Sequence, residues 1–305
     1  MRSANRRGSA LLTVLWLTAA LAAIGLAVAS NVRGETDRAA TNREDAQACF
    51  IARGAIERAK LHLQWGPDYY QFGNPVMDLS FPGAEARVEI IPETAKLGLN
   101  SILPEELMRL LISLGVGEDR SGEMVAAIVD WRTSVPAGQQ SPFDGFYLTQ
   151  SPSFLPRHAS FLQSEELLLV RGITPDLYYG TSLDGSRAGL RDCVSPFADA
   201  GGLDINTARP ETMVAVGIAP EDAASIVRLR ATHPIVDYKE FGSIVSSLGP
   251  AGARLRIGGN SMFTLRATAR MRLANGKLSD MRRTVAALVK RVKTEFETVR
   301  WYDRG

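Results

Sequence analysis

The sequence contains few of the residues from which metal, redox and nucleophilic sites are built. Two cysteines and three histidines occur in 305 residues, and His62, His158 and His233 share no metal-ligand spacing. Two cysteines exclude a disulfide framework and allow at most one bridge, between Cys49 and Cys193. The sequence also lacks a Gly-x-Ser-x-Gly elbow, a phosphate-binding loop and a paired-cysteine metal motif. We therefore expect no enzyme.

An excess of one charge is also lacking. The chain has 35 Lys and Arg against 33 Asp and Glu, which leaves a net charge of +2. Such a balance is not the overall signature of a nucleic-acid-binding protein. With 45% hydrophobic residues, the length provides one large or two medium globular domains beyond any membrane anchor.

The N-terminal stretch is long, apolar and free of charge. From Ser9 to Asn31 no side chain is charged, and about 20 apolar residues suffice to cross a bilayer as a helix. The preceding Arg2, Arg6 and Arg7 come without an acidic residue, so the positive-inside tendency places the N-terminus in the cytoplasm. The stretch predicts a single-pass anchor with the bulk of the chain outside the cytoplasm.

Three interpretations of this anchor are open. It is a plain uncleaved anchor, or a secretory signal cut before Ser30, where Ala27-Val28-Ala29 fits the small-x-small rule. The third interpretation follows from Arg7-Gly8, which directly precedes the apolar run. A short basic leader that ends in Gly and continues as a long apolar helix resembles the class III signal of type IV pilins and pseudopilins.

That resemblance implies cleavage by prepilin peptidase between Gly8 and Ser9, with N-methylation of Ser9. Position five of the mature chain is then Thr13, where most members carry Glu. A carboxylate in lipid is costly unless it is paired, so this Glu favours docking beneath another subunit. Its absence is typical of the minor pseudopilin K family of the type II secretion system, whose members lie at the filament tip.

The helical pattern continues beyond the membrane. Apolar residues recur at spacings of three and four at Cys49, Ala52, Ile56, Ala59 and Leu63, which forms one face of an amphipathic helix. A helix from Ser9 to Leu63 is about 80 Å long. In this interpretation Cys49 is a small buried residue. Residues 66–83, rich in Gly and Pro, are predicted as a loop.

Alternating patterns near both ends of the remaining chain predict strands. Residues 84–91 alternate apolar with charged side chains, and residues 263–273 alternate apolar with Thr or Arg side chains over a longer run. Asn275-Gly276 then predicts a hairpin turn, with further strands around 281–290 and 297–301. These strands are expected to form an antiparallel sheet on the long helix.

The block between these strands contains a weak internal repeat. Leu99-Asn100-Ser101 and Ile205-Asn206-Thr207 each precede a short helix, a glycine turn and a second helix. We predict Asn100, Asn206 and Thr207 as helix caps, and Gly115 and Gly217 as the turns. These units resemble helix-hairpin-helix or SAM-like repeats, and the pseudopilin K family carries two such repeats inserted in its pilin fold.

Helix-hairpin-helix units also bind DNA, and the second copy resembles the Asn-Thr-Ala modules of competence DNA receptors. A membrane-tethered DNA-binding protein is therefore the alternative function. However, Ala219-Pro220 replaces the second turn glycine of the DNA-binding form, and Glu118 and Asp119 follow the first turn. Because acidic side chains repel phosphate and proline lacks an N–H donor, protein packing is the preferred interpretation and nucleic acid is not an expected partner.

Calcium is the one cofactor that the family resemblance suggests, in the helical domain. Calcium takes six to eight oxygen ligands, several of them carboxylates. The corresponding loop here, residues 139–144, offers only Asp144 as a carboxylate. Asp144 is thus a weak candidate for a calcium ligand.

The predicted fold class is α+β, a pilin-like fold with a large helical insertion. The expected parts are a leader at 1–8, a membrane helix at 9–31, a pilin-like α/β part at 32–94, the insertion at 95–255 and a C-terminal sheet at 256–305. Within the insertion, the two repeats are expected at about 95–180 and 200–250.

The family resemblance implies a function in assembly. It implies a minor pseudopilin of the bacterial inner membrane, with its bulk in the periplasm, that initiates or caps the type II secretion pseudopilus. Its implied partners are the minor pseudopilins I and J, with pseudopilins H and G, prepilin peptidase and secreted substrates as further contacts.

Overall fold

The computed structural model describes residues 6–302 except 67, 71–72, 181–187, 199–200 and 260, and only the backbone of residues 6–10. It is an α+β structure, as predicted, with one long helix, one antiparallel sheet and a large helical part.

A single helix, α1, runs from Arg6 to Trp65. Its 60 residues include no proline, so nothing removes a donor from its hydrogen-bond ladder. It ends where Gly66 adopts a positive φ of 90°. From Leu11 onward its first half is exposed on all sides, and the helix is long and apolar enough to cross a membrane. The predicted continuous helix is confirmed.

The sheet has five antiparallel strands in the order β1-β2-β7-β8-β9. Its strands are β1 (Val76–Phe81), β2 (Ala84–Pro92), β7 (Met262–Met271), β8 (Arg283–Val292) and β9 (Glu295–Tyr302). The predicted strands at 84–91 and 263–273 are confirmed, and β8 begins two residues later than the predicted 281. The edge strand β9 is slightly longer than predicted.

The loop predicted at 66–83 is wrong in its second half, because strand β1 occupies Val76–Phe81. Met77 and Leu79 alternate inward there with a period of two. Their short pattern lies between Pro75 and the Pro82-Gly83 turn, so turn residues on both sides concealed it. Gly83 has a φ of 74° and closes the β1–β2 hairpin.

One face of the sheet packs on the second half of α1. The helix contributes mostly alanines to this core: Ala48, Ala52, Ala55, Ile56 and Ala59. The buried stripe is therefore rotated from the predicted one, and Cys49 and Leu63 are only partly buried. Cys49 belongs to this core and Cys193 to the core of the helical part, and both thiols are free.

The helical part lies between β2 and β7 and has a separate hydrophobic core. Its first helices are α2 (Pro104–Ser113), α3 (Glu118–Arg132), α4 (Asp144–Leu148), α5 (Pro175–Tyr179) and α6 (Leu190–Cys193). Its later helices are α7 (Pro210–Ala215), α8 (Pro220–Thr232) and α9 (Tyr238–Ser247). Short 3-10 helices occupy 93–95, 164–169 and 249–254.

Two short parallel strand pairs close the two halves of this helical part. One joins β3 (Leu97–Gly98) to β4 (Val194–Ser195), and the other joins β5 (Leu203–Asp204) to β6 (Leu255–Arg256). Each strand pair holds the first residues of a helical unit beside the last residues of the same unit. Below, residues 97–195 are called the first unit and residues 203–256 the second unit.

The contact between α1 and the sheet can be tested at Ile56, which is fully buried, against Phe50, which is 72% exposed on the same helix. Ile56→Ala is expected to lower the free energy of unfolding by about 2–5 kcal/mol, because it removes buried methyl groups and leaves a cavity. Phe50→Ala is expected to change it by less than about 0.5 kcal/mol. Urea unfolding of the detergent-solubilised full chain, followed by circular dichroism, measures both. Equal losses in the two variants would contradict this packing.

Candidate assembly site

The N-terminal end of α1 holds the residues predicted for processing. Gly8 and Ser9 lie in the first turns of α1, where the backbone alone is described. Thr13 follows one turn later and is exposed. Because Thr13 is uncharged, the apolar helix places no carboxylate in the membrane at this position. The cleavage itself stays a prediction.

The two helical units begin with the same backbone arrangement. The amide of Leu99 donates to the Ser195 carbonyl, and the amide of Ile205 donates to the Arg256 carbonyl, both at 2.9 Å. In each unit an arginine at the end of the second helix donates back to this point. Arg132 binds the Leu99 carbonyl at 2.8 Å, and Arg230 binds the Ile205 carbonyl at 2.7 Å.

The asparagines of the repeat do not cap the helices as predicted. The residues before α2 and α7 are Leu103 and Arg209. Asn100 instead makes two hydrogen bonds to the backbone of Phe161, and Asn206 makes the same pair to the backbone of Ile235. A side-chain amide suits this role because it donates and accepts at once.

Thr207, also predicted as a cap, donates its hydroxyl to the Asp204 carboxylate. The capping prediction fails because proline occupies the first helical position of both α2 and α7. Proline has a fixed φ and needs no partner for an N–H, so these helices begin without a cap from the side chain that precedes them.

Gly115 and Gly217 form equivalent turns between the helices of each unit. Their φ angles are 84° and 98°, a conformation that costs glycine little and other residues more. In both turns, the residue after the glycine donates its amide to a carbonyl of the preceding helix: Val116 to Leu111 and Ile218 to Met213.

The two units pack against each other through α2 and α7. The Arg109 side chain on α2 donates to the Ala215 carbonyl at 2.8 Å. Glu106, which is almost fully buried, forms an ion pair with Arg254 at 3.0 Å. Because both units share one hydrophobic core, the helical part is a single packed body.

Polar contacts join this helical body to the second face of the sheet. Arg266 on β7 pairs with Asp192 at 3.2 Å and with Glu89 at 3.5 Å. Thr264 donates to the buried carboxylate of Glu93 at 2.6 Å. Burial of Asp192 opposes its ionisation, but Arg266, Arg209 and Arg191 outweigh this effect and hold its pKa below the usual range. The sheet is thus covered by α1 on one face and contacted by the helical body on the other.

Asp144 lies in a buried polar cluster within the first unit. Its two carboxylate oxygens accept from the Ser141 amide at 2.8 Å and from His158 Nε2 at 2.9 Å. Asp130 accepts from the Ser141 hydroxyl at 2.9 Å. These contacts attach the irregular segment after α3 to the end of that helix.

The comparisons with known proteins concern the same first unit. Residues 94–180 match the family model of type II secretion system protein K. This segment is similar to a type II secretion system protein K domain. The match confirms the resemblance predicted from the sequence.

A structural match extends the likeness over most of the chain. One chain of the crystal structure of the GspK–GspI–GspJ complex from the enterotoxigenic Escherichia coli type II secretion system matches with a TM-score of 0.57 and 16% identity. The match covers 88% of this chain and 99% of that chain. At this level of identity it shows a shared fold. A search of curated proteins gave no match.

Asp144, the candidate calcium ligand, is already hydrogen-bonded within the protein. Both oxygens of Asp144 already accept hydrogen bonds from N–H groups. Among the described residues, no group of three His, Cys, Asp or Glu side chains is placed to hold a metal. Asp144 therefore anchors the loop in this structure, and its part in a calcium site stays a prediction.

The starts of the second helices carry acidic residues in both units. Glu118 and Asp119 begin α3, and Glu221 and Asp222 follow the first residue of α8. These four side chains are exposed. Their charge repels phosphate at the helix ends where a DNA-binding unit would present its amides. The structure thus lends no support to the DNA-receptor alternative.

Sequence reasoning missed the arginines that complete the repeat and the His158–Asp144 pair. Arg132 and Arg230 both lie in the last turn of the second helix of their copy, so an alignment of the two copies carried a signal for them. His158 and Asp144 lie in an irregular segment without periodicity, and no sequence pattern indicated their contact.

The His158–Asp144 pair predicts a pH dependence of stability. Burial opposes protonation of His158, but hydrogen bonds to Asp144 and to the Asp130 carbonyl, together with both carboxylate charges, raise its pKa. A raised folded pKa stabilises the fold fully below the unfolded value of about 6.5, and this contribution is lost as pH rises through the folded pKa. The difference in unfolding free energy between the wild type and His158→Gln is therefore expected to shrink from pH 6 to pH 9.

Denaturant unfolding across this pH range measures the difference. His158 has a φ of 45°, so its replacement also changes backbone strain, but that effect is independent of pH. His233→Gln is the control, because its pair with Glu240 is half exposed and such pairs contribute little. A His158→Gln difference that is constant with pH would refute the ion pair.

Proposed function

We propose that the protein is a minor pseudopilin at the tip of the type II secretion pseudopilus, where it initiates or caps assembly for protein export. The observation that carries this proposal is the protein K domain at residues 94–180, inserted in a sheet that packs on a membrane-length helix. The fold shared with a chain of the GspK–GspI–GspJ complex supports it. The role is assembly, and no catalytic activity is proposed.

A position at the tip agrees with the distribution of bulk and charge. The helical body adds volume to the pilin-like part. If this subunit repeated along a filament, each neighbouring subunit would have to accommodate that volume. Thr13 has no carboxylate that could pair with the N-terminal amine of a neighbouring subunit. A subunit with nothing above it needs no such carboxylate, whereas subunits that join from below do.

The proposed partners are the minor pseudopilins I and J. The structure with the shared fold is that of a GspK–GspI–GspJ complex, and this chain is proposed to take the K position in an equivalent complex. Pseudopilins H and G, and secreted substrates, are proposed as further contacts. The proposed location is the bacterial inner membrane, with α1 crossing it once and the globular part in the periplasm.

Processing at the leader is the first test. We expect protein isolated from host membranes to begin at Ser9 and to carry an N-terminal methyl group, as shown by intact mass and N-terminal sequencing. Gly8→Val is expected to leave the leader attached, because prepilin peptidase cuts after a glycine. Gly25→Val is the matched control, since no atom lies within 4 Å of the added Cβ, and it is expected to be processed normally. A wild-type chain that begins at Met1 or Ser30 would overturn the pseudopilin assignment.

Position 13 is the second test. Thr13→Glu is expected to leave membrane insertion intact and to disturb tip placement, because the new carboxylate favours docking beneath another subunit. The measurements are secretion in the host and pseudopilus length by electron microscopy. Thr18→Glu adds the same charge to the same helix away from position five. Normal secretion and filament length with Thr13→Glu, or an equal defect with Thr18→Glu, would argue against the proposed role of this position.

A further inference from the structure

A cleft of about 470 Å³ lies where the second helical unit meets the sheet. We call it the arginine cleft. Its charged lining residues are Lys96, Arg209, Arg230, Arg266, Glu89 and Asp192. It is separate from the anchor helix and from the Asp144 cluster, although Arg230, Arg266 and Asp192 also make the structural contacts described above.

Part of this charge is paired within the fold. Arg266 lies 3.2 Å from Asp192 and 3.5 Å from Glu89, so it forms ion pairs with both carboxylates that line the cleft. Lys96 pairs at 3.3 Å with Glu93, whose side chain is buried. These pairs leave Arg209 and Arg230 as the cations with the weakest compensation.

Arg209 and Arg230 line the same cleft. Among the described residues, the ion-pair partner of Arg209 is Asp192, at the long distance of 4.0 Å. Arg230 donates to a carbonyl, that of Ile205. Burial lowers the pKa of Arg230, Arg209 lowers it further, and Asp204 acts in the opposite direction. Two neighbouring guanidinium groups in a cleft favour an added anion.

The carboxylate of Asp204, whose charge acts on Arg230, accepts hydrogen bonds from the Thr207 hydroxyl and, at 2.8 Å, from the Gly258 amide. Burial raises the pKa of Asp204, although hydrogen bonds from Thr207, Gly258 and Asn206 and the charge of Arg230 oppose this shift. Its carboxylate is thus committed to the turn that begins the second unit. A carboxylate from outside would meet two arginine side chains, and arginine binds carboxylates through paired N–H donors.

The rest of the cleft is mostly apolar, with Asn206 and Thr207 as its uncharged polar lining residues. Ile91, Val227, Pro210 and Ala231 line it beside the arginines. Its volume falls in the range of about 300–1,000 Å³ that is typical of ligand sites. A small inorganic anion would leave these apolar surfaces uncovered. A peptide covers them if it carries an apolar side chain next to its acidic one.

We propose that the arginine cleft binds a peptide segment of another protein, in which a carboxylate side chain lies beside an apolar one. The carboxylate contacts Arg209 and Arg230, and the apolar side chain lies against Val227 and Ile91. This assignment does not depend on the proposed tip position. It names an acidic peptide as the partner of this surface.

The test uses the full chain in detergent micelles and two end-blocked, fluorescent peptides, Leu-Glu-Leu-Glu-Leu and its glutamine counterpart, with empty micelles as the blank. Fluorescence anisotropy measures their affinities. The glutamate peptide is expected to bind about tenfold more tightly, the effect of one charge-assisted hydrogen bond. Arg209→Gln is expected to abolish this preference. Arg228→Gln, an exposed arginine of α8 outside the cleft, is expected to retain it.

Three results would overturn the proposal. They are equal binding of the two peptides, an equal loss of preference in Arg228→Gln, and Arg209-dependent binding of inorganic phosphate without binding of the peptide. The last result would make the cleft a small-anion site. If Arg209→Gln does not fold, Arg209→Lys replaces it. That variant keeps the charge and loses the paired donors, so it is expected to weaken the preference without abolishing it.

Discussion

The packing of alanines on the sheet is the contact on which the rest of the structure depends. Ala48, Ala52, Ala55 and Ala59 bring the backbone of α1 close to β2, β7 and β8. Small side chains allow this approach and lose little conformational entropy when they are buried. The same helix continues without a break into an exposed apolar half. One rigid element thus fixes the position of the sheet with respect to the membrane.

The helical body is attached to this platform at closely spaced points. The chain leaves the sheet after Pro92 and returns at Met262, and Pro92 and Phe263 are partners in the β2–β7 register. Arg266, farther along β7, then pairs with Asp192 of α6. The insertion is therefore held by two adjacent strands and a nearby ion pair, and it has its own core. The two parts therefore pack independently, because no residue belongs to both hydrophobic cores.

The elements that could be predicted from the sequence are those with sustained periodicity. The long helix and β7 extend over enough residues for their patterns to be unambiguous, and Asn275-Gly276 marked the turn after β7. Strand β1 was missed because Met77 and Leu79 give only one repeat of the pattern between turn residues. The asparagines were located correctly in the repeat, but their contacts to Phe161 and Ile235 join residues distant in sequence. No local pattern encodes such partners. The arginine cleft combines residues from six separate parts of the chain, so no local pattern in the sequence could indicate it.

The register between Pro92 and Phe263 has a consequence for how such a protein arises. A segment whose two ends are neighbours in an antiparallel ladder replaces what is otherwise the turn of a hairpin. Its gain, loss or enlargement leaves strand order and register unchanged, because the closure entropy of a longer connection grows only slowly with its length. A plain hairpin at this point can therefore be replaced by a separate body without a redesign of the long helix or the sheet.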